Sequence, residues 1–223
     1  MKKIYLITLL LFSLSSFAQK DVTQFLDLPV DGYKNEMIEK LKSKGFVQNK
    51  YSKDVFDGEF NGTDVNIFIG TNNNKVYRIM VSDANTINET DIKIRFNNLI
   101  KQFVNNKRYL IEADSTVAKY FIPKDEDISY EISINRKRYE AIFNQKSLKY
   151  DSLIKEKDLL YVKDSLNDKE KQRISDLIIE IFQEYLNSLD KKVWFMINEE
   201  NGKYRIFIYY DNELNRAKGE GLE

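Results

Sequence analysis

The sequence contains neither cysteine nor histidine. Without these two residue types there is no Ser-His-Asp triad, no cysteine nucleophile, no imidazole for acid–base catalysis and no ordinary zinc site. The Gly-x-x-x-x-Gly-Lys-Ser/Thr and Gly-x-Gly-x-x-Gly patterns are also absent, so the sequence predicts no phosphate-binding loop. We therefore predict no cofactor, metal or catalytic residues. Carboxylate chemistry and Ser-Lys pairs are the enzymatic options that remain.

Proline and glycine are scarce as well, and the formal net charge is zero. The chain of 223 residues has 2 prolines and 8 glycines, which argues against a disordered or linker-rich protein. Lys and Arg number 35, as do Asp and Glu, so there is no basic excess to attract nucleic acid. We expect a single α+β domain over residues 19–223, or two halves, 23–110 and 111–215, that share a core.

The first 18 residues have the pattern of a secretory signal peptide. Lys2 and Lys3 supply the positive end, Ile4–Leu14 the apolar segment, and Ser16-Phe17-Ala18 a small-x-small cleavage site. A membrane anchor is the alternative, but the apolar segment is shorter than the ~20 residues that span a bilayer. We predict cleavage after Ala18 in a Gram-negative bacterium. The mature protein is then cysteine-free, without a lipid anchor or a membrane span, and periplasmic or secreted.

The clearest predicted element is a long amphipathic helix that leads directly into a β-hairpin. Asn167 is the expected N-cap, and Glu170 occupies the reciprocal position of a capping box. The following apolar residues have the i, i+3, i+4, i+7 spacing of one buried stripe: Ile174, Leu177, Ile178, Ile181, Phe182, Tyr185, Leu186 and Leu189. The hairpin comprises Val193–Ile197 and Tyr204–Tyr210 around Asn201-Gly202. We expect the helix to pack on the hairpin.

The rest of the chain predicts two more helices and several antiparallel strands. The helices are Tyr33–Lys44, with Asp31 as a candidate N-cap and Gly45 after its end, and Glu89–Asn106, opened by Asn88 with Asp91. The strands are Val55–Phe60, Asp64–Gly70, Lys75–Ser82, a weak segment at Tyr120–Ile122, and a hairpin of Ile128–Ile134 with Arg138–Asn144. Apolar alternation pairs Ile69 with Tyr77, Ile67 with Ile79 and Val65 with Val81. Lys146–Leu166 is compatible with a helix or a long loop.

These elements predict an α+β fold in which about three helices pack on one side of antiparallel sheet built of hairpins. Three segments, from Leu28 to Phe46, from Gly58 to Asn66 and from Lys75 to Val81, resemble an uncharacterised family of exported α+β proteins of gut and oral Gram-negative bacteria. That family has no established activity, so the resemblance implies no catalytic residues. The helix-then-meander order is loosely similar to β-lactamase-inhibitor-protein-like domains and to small outer-membrane assembly lipoproteins, which are binding or scaffolding modules.

Acidic and hydroxyl-bearing motifs give weaker hypotheses. Asp125-Glu126-Asp127 offers oxygen ligands to Ca²⁺, but three neighbours supply too few of them, so a solvated turn is the better interpretation. A carboxylate pair for glycan hydrolysis is an alternative, although no Asp or Glu stands out. Ser115, Ser152 and Ser165 each lie between Asp and Thr or Leu, a pattern of candidate O-glycosylation acceptors. Helix capping and turn formation also favour Asp and Ser, and they are the alternative explanation of this pattern.

The final hairpin carries apolar residues on both faces. Pairing outward from Asn201-Gly202 puts Phe195 opposite Ile208 and Ile197 opposite Ile206 on one face. The other face then holds Trp194 opposite Tyr209 and Met196 opposite Phe207. Because large apolar side chains are mostly buried, we expect another element to cover this second face. The alternative is an exposed partner-binding patch of Trp194, Met196, Phe207 and Tyr209.

The expected function is therefore an exported, non-catalytic interaction module. Its partner is another envelope or extracellular macromolecule, with a glycan among the candidates, and nucleic acid is not expected. A carboxylate-dependent glycan hydrolase is the alternative.

Overall fold

The computed structural model of the protein describes residues 21–111 and 114–216, apart from the side chains of Asp114 and Ser115. The predicted signal peptide lies outside the described residues. The described helices are α1 (Lys34–Ser43), α2 (Glu89–Asn105), α3 (Asp114–Ala118), α4 (Ile128–Ser133), α5 (Tyr150–Tyr161) and α6 (Asp168–Leu189). The strands are β1 (Gln24–Phe25), β2 (Leu28–Pro29), β3 (Val47–Gln48), β4 (Val55–Phe60), β5 (Thr63–Asn72), β6 (Lys75–Asp83), β7 (Tyr109–Leu110), β8 (Glu140–Gln145), β9 (Lys192–Glu200) and β10 (Lys203–Asp211).

Eight strands form one antiparallel sheet, in the order β3-β4-β5-β6-β10-β9-β8-β7, and β1 pairs with β2 separately. One apolar cluster packs on a single face of the large sheet. Helices α1 to α4 contribute to it, and it includes Met37, Phe96, Ile128, Ile67 and Phe195. The prediction of an α+β fold with helices on one side of an antiparallel sheet is confirmed.

Local capping signals set the helix ends. The side-chain oxygen of Asn88 accepts a hydrogen bond from the backbone N–H of Asp91, as predicted. The prediction that Asp31 caps α1 is wrong, because the N-cap is Tyr33, two residues further along the chain. Asp31 instead accepts a hydrogen bond of 2.6 Å from Asn215 Nδ2, near the other end of the chain. Gly45 ends α1 with φ +93°, the left-handed conformation expected of it.

The register of the β5–β6 hairpin differs from the prediction by two residues. Ile69 pairs with Ile79 and Ile67 with Val81, and a β-bulge lies at Gly70/Thr71. The cause is the turn, which consists of Asn73 and Asn74 alone, both in the left-handed conformation. We expected a longer connection and therefore shorter strands. The shift keeps Ile79 and Val81 in the core, but the bulge leaves Tyr77 outside it, and Val76 is buried instead.

Two predicted strands in the middle of the chain are wrong. Residues 128–133 form helix α4, where Asp127 accepts a hydrogen bond from the backbone N–H of Tyr130. The alternating apolar residues also have an i, i+4 relation, which lets Ile128 and Ile132 reach the core from a helix. Residues 120–122 do not form a strand, and the Asn97 amide donates to and accepts from the Ile122 backbone at 2.9 Å.

The uncertain region 146–166 contains helix α5, which packs against α6. We call α5, the connecting loop and α6 (residues 150–189) the helical arm. The arm lies between β8 and β9, which are themselves neighbouring antiparallel strands, so it takes the place of a hairpin turn. The predicted capping box is confirmed, since Asn167 and Glu170 exchange hydrogen bonds of 2.9 and 3.0 Å.

The predicted burial of the long helix is wrong. Of its eight stripe residues, only Ile174 and Leu177 are buried. No described residue of α5 or α6 belongs to the main core. Helix α6 packs mainly against α5 and contacts the sheet mainly at β8, and the hairpin leaves most of the stripe uncovered. The hairpin itself is confirmed pair by pair, from Glu200 with Lys203 to Trp194 with Tyr209.

Candidate functional site: the open face of the sheet

The side of the large sheet opposite helices α1 to α4 carries a row of apolar side chains. Cross-strand pairing aligns one residue from each of six neighbouring strands, in the order Val55, Phe68, Met80, Tyr209, Trp194 and Ile142. Phe207 and Met196 extend the row along β10 and β9. We call these eight side chains the open face. With strands ~4.8 Å apart, the row is roughly 24 Å long.

The open face contains all four residues of the predicted patch. Trp194, Met196, Phe207 and Tyr209 are partly exposed, and none of the eight open-face side chains belongs to the core. Helices α1 to α4 supply their buried residues to the opposite face, and the contacts of α6 with the sheet are mainly with β8. The expected covering element is therefore not found in the described part of the chain, and the described elements leave this face in contact with solvent.

A buried carboxylate fixes the aromatic side chains in the centre of the open face. Arg78 Nε and Nη2 donate to the two Asp211 oxygens at 2.5 and 2.7 Å, and Trp194 Nε1 donates to Asp211 Oδ2 at 2.9 Å. The Asp211 side chain is 2% exposed. Burial lowers the pKa of Arg78, but its hydrogen bonds to Asp211 and the charge of that carboxylate outweigh burial and raise it. The guanidinium therefore stays charged.

The same arginine stacks on the aromatic rings. The rings of Trp194 and Tyr209 are stacked at 4.0 Å with an angle of 15° between their planes. The Arg78 guanidinium lies 4.8 Å from the Tyr209 ring centre and 5.6 Å from that of Trp194. Such cation–π contacts and the bidentate ion pair restrict the rotamers of all three side chains. The open face is consequently preorganised, with little side-chain entropy to lose on binding.

Gly70 and Tyr77 extend this cluster at the bulge between β5 and β6. A Cβ atom on Gly70 would lie 3.2 Å from the Tyr77 ring and 3.1 Å from Arg78 Cβ. Glycine thus lets the Tyr77 ring lie against the β5 backbone, beside Arg78.

The sequence analysis identified the aromatic residues but missed Arg78 and Asp211. Extending the predicted hairpin register by two pairs beyond Trp194–Tyr209 would have put Asp211 next to Trp194. Arg78 could not be found in this way, because its position depends on the non-local pairing of β6 with β10.

A cleft of about 480 Å³ lies on the other side of the sheet, beside the end of α2. Its floor includes Tyr109 and Tyr210, whose pKa values are raised by burial, so both phenols are neutral. Asn61 Nδ2 donates to Gln102 Oε1 at 2.6 Å at its rim. The cleft holds no pair of carboxylates or charged nucleophile, and Glu59 is its one acidic residue among the described lining residues.

Two carboxylates of the Asp125-Glu126-Asp127 cluster, and the buried Asp83, have structural partners. Asp127 caps α4, and hydrogen bonds from Lys137 and Tyr139 lower the pKa of Glu126. The buried Asp83 is ion-paired with Arg95 and also accepts a hydrogen bond of 3.1 Å from the backbone N–H of Ile206. Within residues 21–111 and 114–216, no three acidic side chains converge as metal ligands would. A second cleft, of about 460 Å³, has Asp21, Glu184 and Asp190 among its lining residues, and Asp21 is ion-paired with Lys191. A carboxylate pair for glycan hydrolysis stays a prediction.

The candidate O-glycosylation serines lie in different settings. Ser165 is exposed in the loop that joins α5 to α6, at the tip of the helical arm. Ser152 is exposed in the first turn of α5, where its hydroxyl donates to the Lys149 carbonyl at 2.7 Å. Ser115 lies in α3, and its side chain is outside the described residues. Modification of these serines stays a prediction.

Comparison of the chain with protein families, curated proteins and solved structures found no match. The resemblance to exported proteins of Gram-negative bacteria therefore stays a prediction. Among the described helices, none is long and apolar enough to cross a membrane.

Proposed function

We propose that this protein is an exported, non-catalytic binding module that contacts a protein partner through the open face. The observation that carries the proposal is the uncovered row of eight apolar side chains around the Arg78–Asp211–Trp194 cluster. Trp, Tyr, Phe, Met and Arg are the residues enriched in protein interfaces, and Trp, Tyr and Arg dominate binding hot spots. Both groups are represented on this one face.

A protein partner fits the polar groups of the face better than a glycan does. Arg78, Asp211 and the indole N–H of Trp194 are hydrogen-bonded to one another. They offer few free donors or acceptors to sugar hydroxyls, and hydroxyls that lose water without a new partner weaken binding. An apolar protein surface has no such cost. The hydrolase alternative has less support, because the buried Asp83 and Asp211 are each held by an arginine and Asp21, in the second cleft, is ion-paired with Lys191.

Site-specific photo-crosslinking in the native periplasm tests the proposal. A photoreactive amino acid at position 196 should capture a defined protein, whereas the same residue at position 51 should not. Tyr51 is a suitable control because it is 84% exposed and lies outside the open face. Capture at both positions, or at neither, would contradict the proposal.

Affinity measurements on the purified pair then test the hot spot. Trp194→Ala and Met196→Glu should each raise the dissociation constant by at least about 30-fold, as expected of a central interface residue. Tyr51→Ala should leave it unchanged. Met196→Glu keeps the Asp211 hydrogen bonds intact, so it separates lost binding from lost folding. Binding to a glycan array that Trp194→Ala abolishes, without any protein partner, would overturn the choice of a protein.

A further inference from the structure

Helix α6 has two apolar stripes, and one of them is uncovered. Ile174 and Leu177 are buried on the side that packs against α5, where Arg173 also binds Glu156 at 2.8 and 3.0 Å. Ile178, Phe182, Tyr185 and Leu189 form a neighbouring stripe that is 39–59% exposed. Ile179 and Leu186 widen this outer stripe and are 59% and 45% exposed.

The outer stripe has the size of an interface core. Its six side chains expose between two fifths and three fifths of their surfaces. At roughly 150–200 Å² per side chain, they present apolar surface on the order of 500 Å². This is near the upper end for a patch on a monomer. With a polar rim, it approaches the ~800 Å² that each partner buries in a standard interface.

Two polar residues, Ser175 and Lys171, continue the line of Ile178, Phe182, Tyr185 and Leu189 towards the start of α6, and the spacing of this line reads the same in both directions. Lys171, Ser175, Ile178, Phe182, Tyr185 and Leu189 are separated by four, three, four, three and four residues. A two-fold axis at residue 180 therefore places Ile178 opposite Phe182 of a second α6 running antiparallel, and Ser175 opposite Tyr185. Alternating intervals of three and four are the pattern by which helices interdigitate. A two-fold interface requires such a self-complementary surface.

The charges at the helix ends agree with this pairing. The last turn of α6 has no basic residue, and its C-cap is Asp190, although a helix C-terminus favours positive charge. Antiparallel pairing brings Lys171 of the second copy to that end, opposite Leu189 and beside Asp190. Glu180 lies on the opposite side of the helix from the outer stripe, at about 100° per residue, and Arg173 Nη1 lies 2.7 Å from its Oε1. The charge of Glu180 therefore does not face the second copy.

We propose that two copies of the chain associate through antiparallel pairing of their α6 helices. The two helical arms then form a four-helix bundle in which both outer stripes are buried. The two open faces lie on the sheets, outside the bundle, so dimerisation and partner binding use separate surfaces.

Sedimentation equilibrium of the mature chain, residues 19–223, tests the association. We expect a concentration-dependent dimer, and Phe182→Glu should raise its dissociation constant at least about 30-fold. Tyr51→Glu, a charge placed on an exposed aromatic outside the arm, should leave the constant unchanged. Circular dichroism of Phe182→Glu should show an intact fold. A chain that stays monomeric up to ~100 µM, or a dimer that Phe182→Glu does not weaken, would overturn the proposal.

Disulfide trapping tests the antiparallel direction, and the cysteine-free sequence makes the result unambiguous. An equimolar mixture of Ile178→Cys and Phe182→Cys should yield the mixed disulfide dimer far faster than either variant alone. Efficient self-linking of Ile178→Cys would indicate a parallel pair and overturn the proposed arrangement. The disulfide experiment does not involve the open face. A result that overturns the proposed dimer therefore leaves the proposed binding of a partner unaffected.

Discussion

The final hairpin and the helix that precedes it differ in what their sequences specify. Every residue pair of β9–β10 from Glu200–Lys203 to Trp194–Tyr209 follows from one two-residue turn. Helix α6 begins at its predicted cap, yet six of its eight stripe residues are not buried. The turn fixes the position of both hairpin strands at once. A cap fixes only where a helix starts, and burial depends on what the fold places beside it.

The largest expected effect comes from a matched pair of Phe→Ala variants. Phe195 is fully buried, with the rings of Phe96 and Phe103 at 5.1 and 5.3 Å, so Phe195→Ala should lower the free energy of unfolding by about 3–5 kcal/mol. Phe182 is 59% exposed, so Phe182→Ala should cost less than about 0.5 kcal/mol in the monomer. Urea unfolding at low protein concentration measures both. A loss of 2 kcal/mol or more for Phe182→Ala would mean that the chain itself covers α6.

A second pair of variants compares the helix cap with the hairpin turn. Asn167→Ala removes the α6 cap, and Asn201→Ala puts a side chain without local hydrogen bonds at φ +53°. Each should cost about 1 kcal/mol. Hydrogen exchange should show a local effect for Asn167→Ala, confined to the arm amides, because α6 contributes nothing to the core. Asn201→Ala should speed exchange throughout β6, β9 and β10. If both variants speed hydrogen exchange at the same amides, in the arm and in the sheet, the arm and the sheet unfold together.

Short-range chemistry accounts for the parts of the fold that the sequence predicts well. Asn88 and Asn167 as caps, Gly45 after α1 and the Asn201-Gly202 turn all act within a few residues. The errors arise where local signals compete. Ile128–Ile134 has the alternation of a strand, but the Asp127 cap selects a helix that buries Ile128 and Ile132 at i, i+4.

The candidate site is predictable only in part, for the same reason. The hairpin register predicts that four residues share one face of the sheet: Trp194, Met196, Phe207 and Tyr209. It does not predict that they are partly exposed. Exposure depends on whether a distant segment covers them, and the helices α1 to α4 that supply the core pack on the opposite face. Arg78 reaches Asp211 across a separation of 133 residues, through strand pairing that no local pattern specifies. Long-range placement therefore decides which apolar surfaces remain free.

The smallest effect concerns the ion pairs that hold α5 to α6. Hydrogen bonds from Arg173 lower the pKa of Glu156, and those from Lys163 and then Asn167 lower the pKa of Glu170, both from an ordinary value of 4.5. Because these folded-state pKa values lie below the unfolded ones, the stabilisation is complete above pH 4.5 and is lost as the pH falls through the lower, folded values. Both carboxylates are exposed, so the loss should be small and screened by salt.

Urea unfolding between pH 6 and pH 3 measures this loss as a difference between variants. The wild-type chain should lose more stability over this range than Arg173→Met, which lacks the Glu156 pair. Lys155→Met is the matched control, since Lys155 is also an exposed α5–α6 cation but has no ion pair among the described residues. Its pH dependence should equal that of the wild type. Identical curves for all three would show that these ion pairs contribute nothing measurable and that apolar contacts such as those of Ile174 and Leu177 hold the arm together.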